Sequence, residues 1–201
     1  METVSLRDGS EVVIRPIEPD DFDRLREVWT GMSAQSRRRR FLAQSNAELT
    51  DADLEYLVDV DHRRHEAMLA LDGGGEALGV ARYVRTPGDP ESAEVAVVVV
   101  DDWHRRGLGT ALLDTLTERA RENGIKRYNA IVSEDNDVVL DALDRAGAVR
   151  TGTSGEGEIE FVFELPSEGI GDRLAAALRA AAQLDFLPAW VARFAVWRRR
   201  E

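Results

Sequence analysis

The sequence predicts an α/β fold, a mixed β-sheet flanked by helices and followed by a C-terminal helical tail. Two observations carry that reading. Segments with a two-residue apolar rhythm recur through the first 165 residues and alternate with segments spaced at three to four. In the second half, residues 94–100 (EVAVVVV) lead through two glycines into an amphipathic helix and then another strand. That strand–helix–strand order is a crossover, the connection that joins parallel neighbours in a sheet.

Each element has its own warrant. Residues 4–7 and 11–15 flank Asp8-Gly9, a hairpin signal, and Pro16 and Pro19 stop the second strand. Asp20-Asp21 caps a helix with Phe22, Leu25, Val28 and Trp29 on its apolar positions. A second helix is expected after Ser33, and a third from Thr50-Asp51 with Leu54, Leu57 and Val58 turned inward. Residues 67–71 and 77–85 are strands joined over DGGGE, and 86–90 is a turn-rich link to the central strand. Leu108, Leu112, Leu116 and Ala120 mark the stripe of the crossover helix, which Asn123-Gly124 closes. Residues 127–132 form a strand, Asn136 caps a helix running to Arg145 and ended by Gly147, and residues 158–165 alternate as the last strand.

Composition narrows the functional classes. A net charge of −12 argues against a nucleic-acid partner. Lys126 is the single lysine among 26 basic residues, a compositional bias and not a site. Without cysteine there is no disulfide framework, no thiolate metal site and no acyl-cysteine intermediate. His62 and His65 are too few for a metal centre, so no metal is expected. The N-terminus has no leader pattern and no run reaches membrane-spanning length, from which a cytoplasmic protein is expected. Arg37 to Arg40 is read as a solvated helix face. The tail, residues 166–201, keeps helical spacing through Ile170, Leu174 and Leu178 and, past Pro188, through Trp190, Phe194 and Trp197. It is read as packing on its own domain (residues 1–165) or pairing two copies in a homodimer, in preference to lying on a membrane.

The chemistry centres on the loop between the central strand and the crossover helix. Gly107 and Gly109, flanked by Arg105 and Arg106, bring backbone close to a ligand at a helix start, where unpaired N–H groups and the helix dipole favour phosphate. A dinucleotide fingerprint requires a small residue where Leu112 stands, and a nucleotide-triphosphate loop requires Gly-Lys-Ser/Thr. The pattern that remains is (Gln/Arg)-x-x-Gly-x-(Gly/Ala), read as His104-Arg105-Arg106-Gly107-Leu108-Gly109, with His104 departing at its first position. It resembles the acetyl-CoA pyrophosphate loop of the Gcn5-related N-acetyltransferases (GNAT). IRPIEPDDFDRL, MSAQSRRRRF, LTDADLEYLVDVDHRRH and SAEVAVVVVDDWHRRGLGTALL look like the bacterial protein lysine acetyltransferases of that superfamily, which often carry a regulatory or CoA-ligase-like domain beside this one.

The resemblance implies a mostly antiparallel sheet and direct transfer of acetyl from acetyl-CoA to an amine, a protein lysine in this branch. Acceptors of another kind, a small amine or a peptide N-terminus, and a non-catalytic acyl-CoA sensor are the competing readings. The cofactor-binding residues it implies are Val97, Val98 and Val99 on the strand, His104, Arg105, Arg106, Gly107, Leu108, Gly109 and Thr110 in the loop, and Asn136 beyond. Glu94 is the expected general base: it opens the strand beside the thioester, and partial burial among Val95, Val97 and Val99 is expected to raise its pKa. Glu91 is its understudy. A bulge in the 97–99 segment is expected to release N–H groups for the oxyanion. The tyrosine that many superfamily members use as general acid is replaced by Leu143, and Ala148 stands where phenylalanine is usual.

Overall fold

A computed structural model describes residues 2–33, 49–134, 140–141, 143–144, 147–155 and 157–171. The expected second helix, Arg37 to Arg40, Asn136 and residues 172–201 of the tail lie outside them. The strands are β1 (Glu2–Ser5), β2 (Glu11–Pro16), β3 (His65–Leu71), β4 (Ala77–Arg85), β5 (Ser92–Val99), β6 (Arg127–Ser133), β7 (Val149–Gly155) and β8 (Glu158–Glu164). The α-helices described from end to end are α1 (Phe22–Thr30), α2 (Asp51–Val58) and α3 (Leu108–Glu122), and residues 140–141 and 143–144 are also helical. One sheet runs β1-β2-β3-β4-β5-β6-β8-β7. Every pairing in it is antiparallel except β5–β6, the pair joined by the α3 crossover.

Two apolar layers hold the sheet, one on each face. On one face the α3 stripe of Leu108, Leu112, Leu116 and Ala120, none more than 1% exposed, meets Val95, Val97 and Val99 of β5 and Tyr128 of β6. Burying each leucine contributes about 1.5–3 kcal/mol, far more than any surface ion pair here. On the other face α1 and α2 supply Leu25, Val28, Leu54, Leu57 and Val58 against Leu69, Val80 and Val100. β3 is therefore buried along its whole length, as a strand covered on both faces must be. The N-cap Thr50 opens α2 by accepting from the Asp53 amide, and Gly124 closes α3 at φ 80°.

β7 is an addition to the expected strands. Its VRTGTSG has no apolar alternation, because it is an edge strand: Val149 is 62% exposed, and register shifts interrupt its pairing with β8. The start of the tail docks on α3, with Arg121 donating to the carbonyls of Pro166 and Gly169, and Ile170 buried. No helix among the described residues is long and apolar enough to cross a membrane.

Candidate active site

β5 decides where a ligand can enter the sheet. It pairs with β4 without interruption from Ala93 to Val99, but with β6 only at Ser92–Arg127, Ala93–Tyr128 and Glu94–Asn129. Past Glu94 the two parallel strands part. Val100 donates to the Leu78 carbonyl, so alternate residues Glu94, Ala96 and Val98 direct their backbone groups to β4. Val95, Val97 and Val99 direct theirs into the opening. The expected bulge at residues 97–99 is absent, since the register with β4 does not shift. What opens this part of the sheet is the end of the β5–β6 pairing after Glu94.

The loop that follows is fastened at both ends. The short 3-10 turn Asp101–Trp103 brings Asp101 back to the end of α1, where its carboxylate accepts from the Ser33 amide and its own amide donates to Gly31. His104 Nε2 donates to the Val99 carbonyl at 2.9 Å. The ring thereby ties the loop to the end of β5. Arg106 stacks over Trp103 at 4.7 Å and approaches Asp8 of the hairpin at 3.6 Å.

Arg105 (φ 65°) and Gly107 (φ 96°) are both left-handed, with Arg106 between them. That alternation turns successive N–H groups toward one side, the arrangement of an anion-binding concavity. The helix ladder begins with Ala111 donating to Gly107, so the amides of Leu108, Gly109 and Thr110 precede the first ladder bond. Leu108 offers only its backbone, because its side chain is core. A Cβ on Gly109 would lie 3.7 Å from Val99 Cγ2 and 3.9 Å from Val97 Cγ2, ordinary contact distances, so packing of α3 on β5 does not itself require glycine there.

Glu94 sits at the vertex where β5 and β6 separate, half-buried. Alternation places it on the face opposite Val95, Val97 and Val99, which pack under α3, so the expected burial among those valines is corrected. Its neighbours across the strands are Val84 and Asn129, and beyond Val84 comes His65. Asn129 donates to Thr86 Oγ1 at 3.0 Å. Under the same face lies Arg82, wholly buried, donating to the Leu57 carbonyl and to His65 Nε2. Desolvation lowers the Arg82 guanidinium to about 10, and burial, with the Arg82 charge beside it, pushes His65 down to about 3. His65 is thus a neutral acceptor, a structural histidine.

The remaining candidates fall away from the opening. Glu91 is engaged by Lys126 at 2.5 Å and Arg127 at 3.8 Å. His62 Nδ1 bonds the buried Glu66, and among the described residues no cluster of His, Asp or Glu is arranged to hold a metal. Leu143 is buried at 3% exposure, a core residue. Asn136 lies outside the described residues.

Residues 29–148 match the Acetyltransferase (GNAT) family. The chain is 37% identical over 147 residues to Acetyltransferase Pat of Mycolicibacterium smegmatis, covering 73% of this chain and 44% of that one. To Acetyltransferase PA5475 of Pseudomonas aeruginosa it is 32% identical, over 72% of this chain and 78% of that protein. The chain therefore spans less than half the length of the mycobacterial relative. Among solved structures, the GNAT domain of S. lividans PAT superposes with a TM-score of 0.71 at 32% identity, covering 82% of this chain and 96% of that one. A cAMP-binding acyltransferase from Mycobacterium smegmatis gives 0.57 at 30% identity, over 92% of this chain and 54% of the other.

Proposed function

The chain belongs to the GNAT acetyltransferase family, and from that premise we propose that it moves acetyl directly from acetyl-CoA to an amine, with a protein lysine as acceptor and the cytoplasm as its setting. The observation that carries the reading is the parting of β5 from β6 immediately after Glu94, with the glycine loop at the far end of the opening. Pantetheine lies along the opening and the pyrophosphate rests on the amides of residues 106–110. The lysine acceptor rests on the sequence stretches that resemble the bacterial protein lysine acetyltransferases.

The chemistry balances within that frame. An alkylammonium with a pKa of about 10.4 arrives protonated and must shed a proton before it attacks. Glu94 takes that proton, directly or through one water. The neutral amine forms a C–N bond to the thioester carbon, and the oxyanion meets backbone N–H groups on the open side of residues 97–99. The intermediate then loses the second proton from its nitrogen to water and breaks its C–S bond, and CoA departs as a thiolate, which needs no general acid at Leu143 because a simple thiol ionises near ~8.5. With no cysteine in the chain, transfer proceeds in a ternary complex.

The test is turnover with labelled acetyl-CoA against lysine proteins and small amines, for wild type and Glu94→Gln, across pH 6 to about 10. Loss of proton acceptance lowers the rate constant about 10²–10⁴-fold with CoA affinity nearly unchanged, and the deficit narrows at high pH as the amine deprotonates unaided. Undiminished turnover in Glu94→Gln removes that residue from the mechanism. A wild type that turns over small amines and no protein shifts the acceptor class.

A further inference from the structure

Acetyl-CoA is longer than the opening and the loop, and its nucleoside end has no place in the account above. Beside the loop a groove of about 320 Å³ runs between the β1–β2 hairpin and α3. Residues 4–7 form one wall, and Gly107, Thr110, Ala111 and Thr115 the other, so the groove is continuous with the phosphate cradle. Arg7 lies across its head: its Cγ, Cδ and Nε are 3.6, 3.7 and 3.9 Å from where a Cβ on Gly107 would stand.

Arg7 makes no ion pair or side-chain hydrogen bond with any described residue. By contrast Arg15, Arg26, Arg119, Arg127 and Arg150 are each held by carboxylates. The carboxylate next to Arg7 is already engaged, since Asp8 accepts from the Ser10 amide and faces Arg106. Among the described residues of a −12 chain, Arg7 is thus an uncommitted guanidinium beside the loop of residues 105–110. β1 runs antiparallel to α3 along the groove, so its other end is lined by Glu2 and Glu118, with Asp114 between. The groove is cationic where it meets the cradle and acidic at its far end.

That polarity fits one part of CoA. The 3′-phosphate, next to the pyrophosphate across the ribose, is the anion, and the adenine amino group farther out donates to carboxylates. We propose that the hairpin–α3 groove is the subsite for the 3′-phosphoadenosine end of CoA, with Arg7 on the 3′-phosphate. This rests on the CoA reading above and adds to it a determinant of which thioester carrier is accepted. The guanidinium suits a phosphate because its fork of donors matches two oxygens at once.

Calorimetric titration of the full chain with CoA and with 3′-dephospho-CoA tests it. Wild type binds CoA about tenfold tighter than the dephospho form, as expected for one exposed charge-assisted contact. Arg7→Ala brings that ratio near one by weakening CoA alone, and Arg7→Lys keeps part of the preference. Ser5→Trp, which fills the groove from its exposed wall, weakens both ligands and leaves 4′-phosphopantetheine binding unchanged. An unaltered ratio in Arg7→Ala, an equal loss for both ligands, or full CoA affinity in Ser5→Trp overturns the proposal while leaving CoA binding intact. A wild type that binds neither nucleotide overturns it together with the CoA reading.

Discussion

The two ends of β5, Ser-Ala-Glu and then Val-Ala-Val-Val-Val, have opposite surroundings. Ala93 and Glu94 are in register with strands on both sides, whereas from residue 95 onward the register continues with β4 and not with β6. The closed half is a wall: His65, Val84, Glu94 and Asn129 form one row across four strands. The open half is a floor supported from beneath by α3 and closed at its end by His104. A sheet can therefore be opened without any irregularity in the strand that lines the gap. It is enough that one neighbour leaves.

Breaking the floor should have the largest effect. Gly79 pairs with Val99, and a Cβ there would meet the Val98 carbonyl oxygen at 2.4 Å and Leu112 Cδ1 at 3.2 Å. Gly79→Val should destabilise the chain by about 3 kcal/mol in denaturant melts, because backbone must move. Gly73→Val, where nothing lies within 4 Å, should stay within about 0.5 kcal/mol and serves as the control.

The wall should respond to acid. His65 is held neutral with its pKa pushed from 6.5 to about 3, so the unfolded chain binds a proton that the folded chain refuses. Stability is then complete above pH 6.5 and falls as pH drops, by about 2 kcal/mol between pH 7 and pH 5. His65→Gln, which keeps an acceptor for Arg82, should flatten that part of the profile. A wild-type stability curve level from pH 7 to 5 would show that the row tolerates a charge. The lowered carboxyls of Asp21 and Asp61 act in the same direction only at lower pH.

The smallest effect belongs to the tie between floor and loop. His104→Ala removes one hydrogen bond to Val99 and leaves the loop amides in place, so CoA affinity should fall about fivefold, read by calorimetry. A loss of a hundredfold or more would mean that the ring itself meets phosphate.

Much of this is legible in the sequence. A β-branched run, two glycines and a four-residue leucine stripe specify strand, loop and helix through local physics, and each formed where the pattern put it. Features that depend on partners far along the chain were not legible. β7 escaped notice because an exposed edge strand needs no apolar alternation. The face of Glu94 follows from pleating, but which face α3 covers is a tertiary fact. Arg7, more than ninety residues before Gly107, carries no local mark beyond the turn beside it.

The loop of residues 101–110 is braced by Ser33, Val99 and Asp8, partners drawn from three parts of the chain, and internally by the stacking of Arg106 on Trp103. Little disorder then remains for a ligand to remove, so association carries a small ordering penalty. Mixing with CoA should give a single phase whose rate rises linearly with concentration, with no slow plateau from loop rearrangement. Discrimination among ligands would in that case be expressed in how long each one stays.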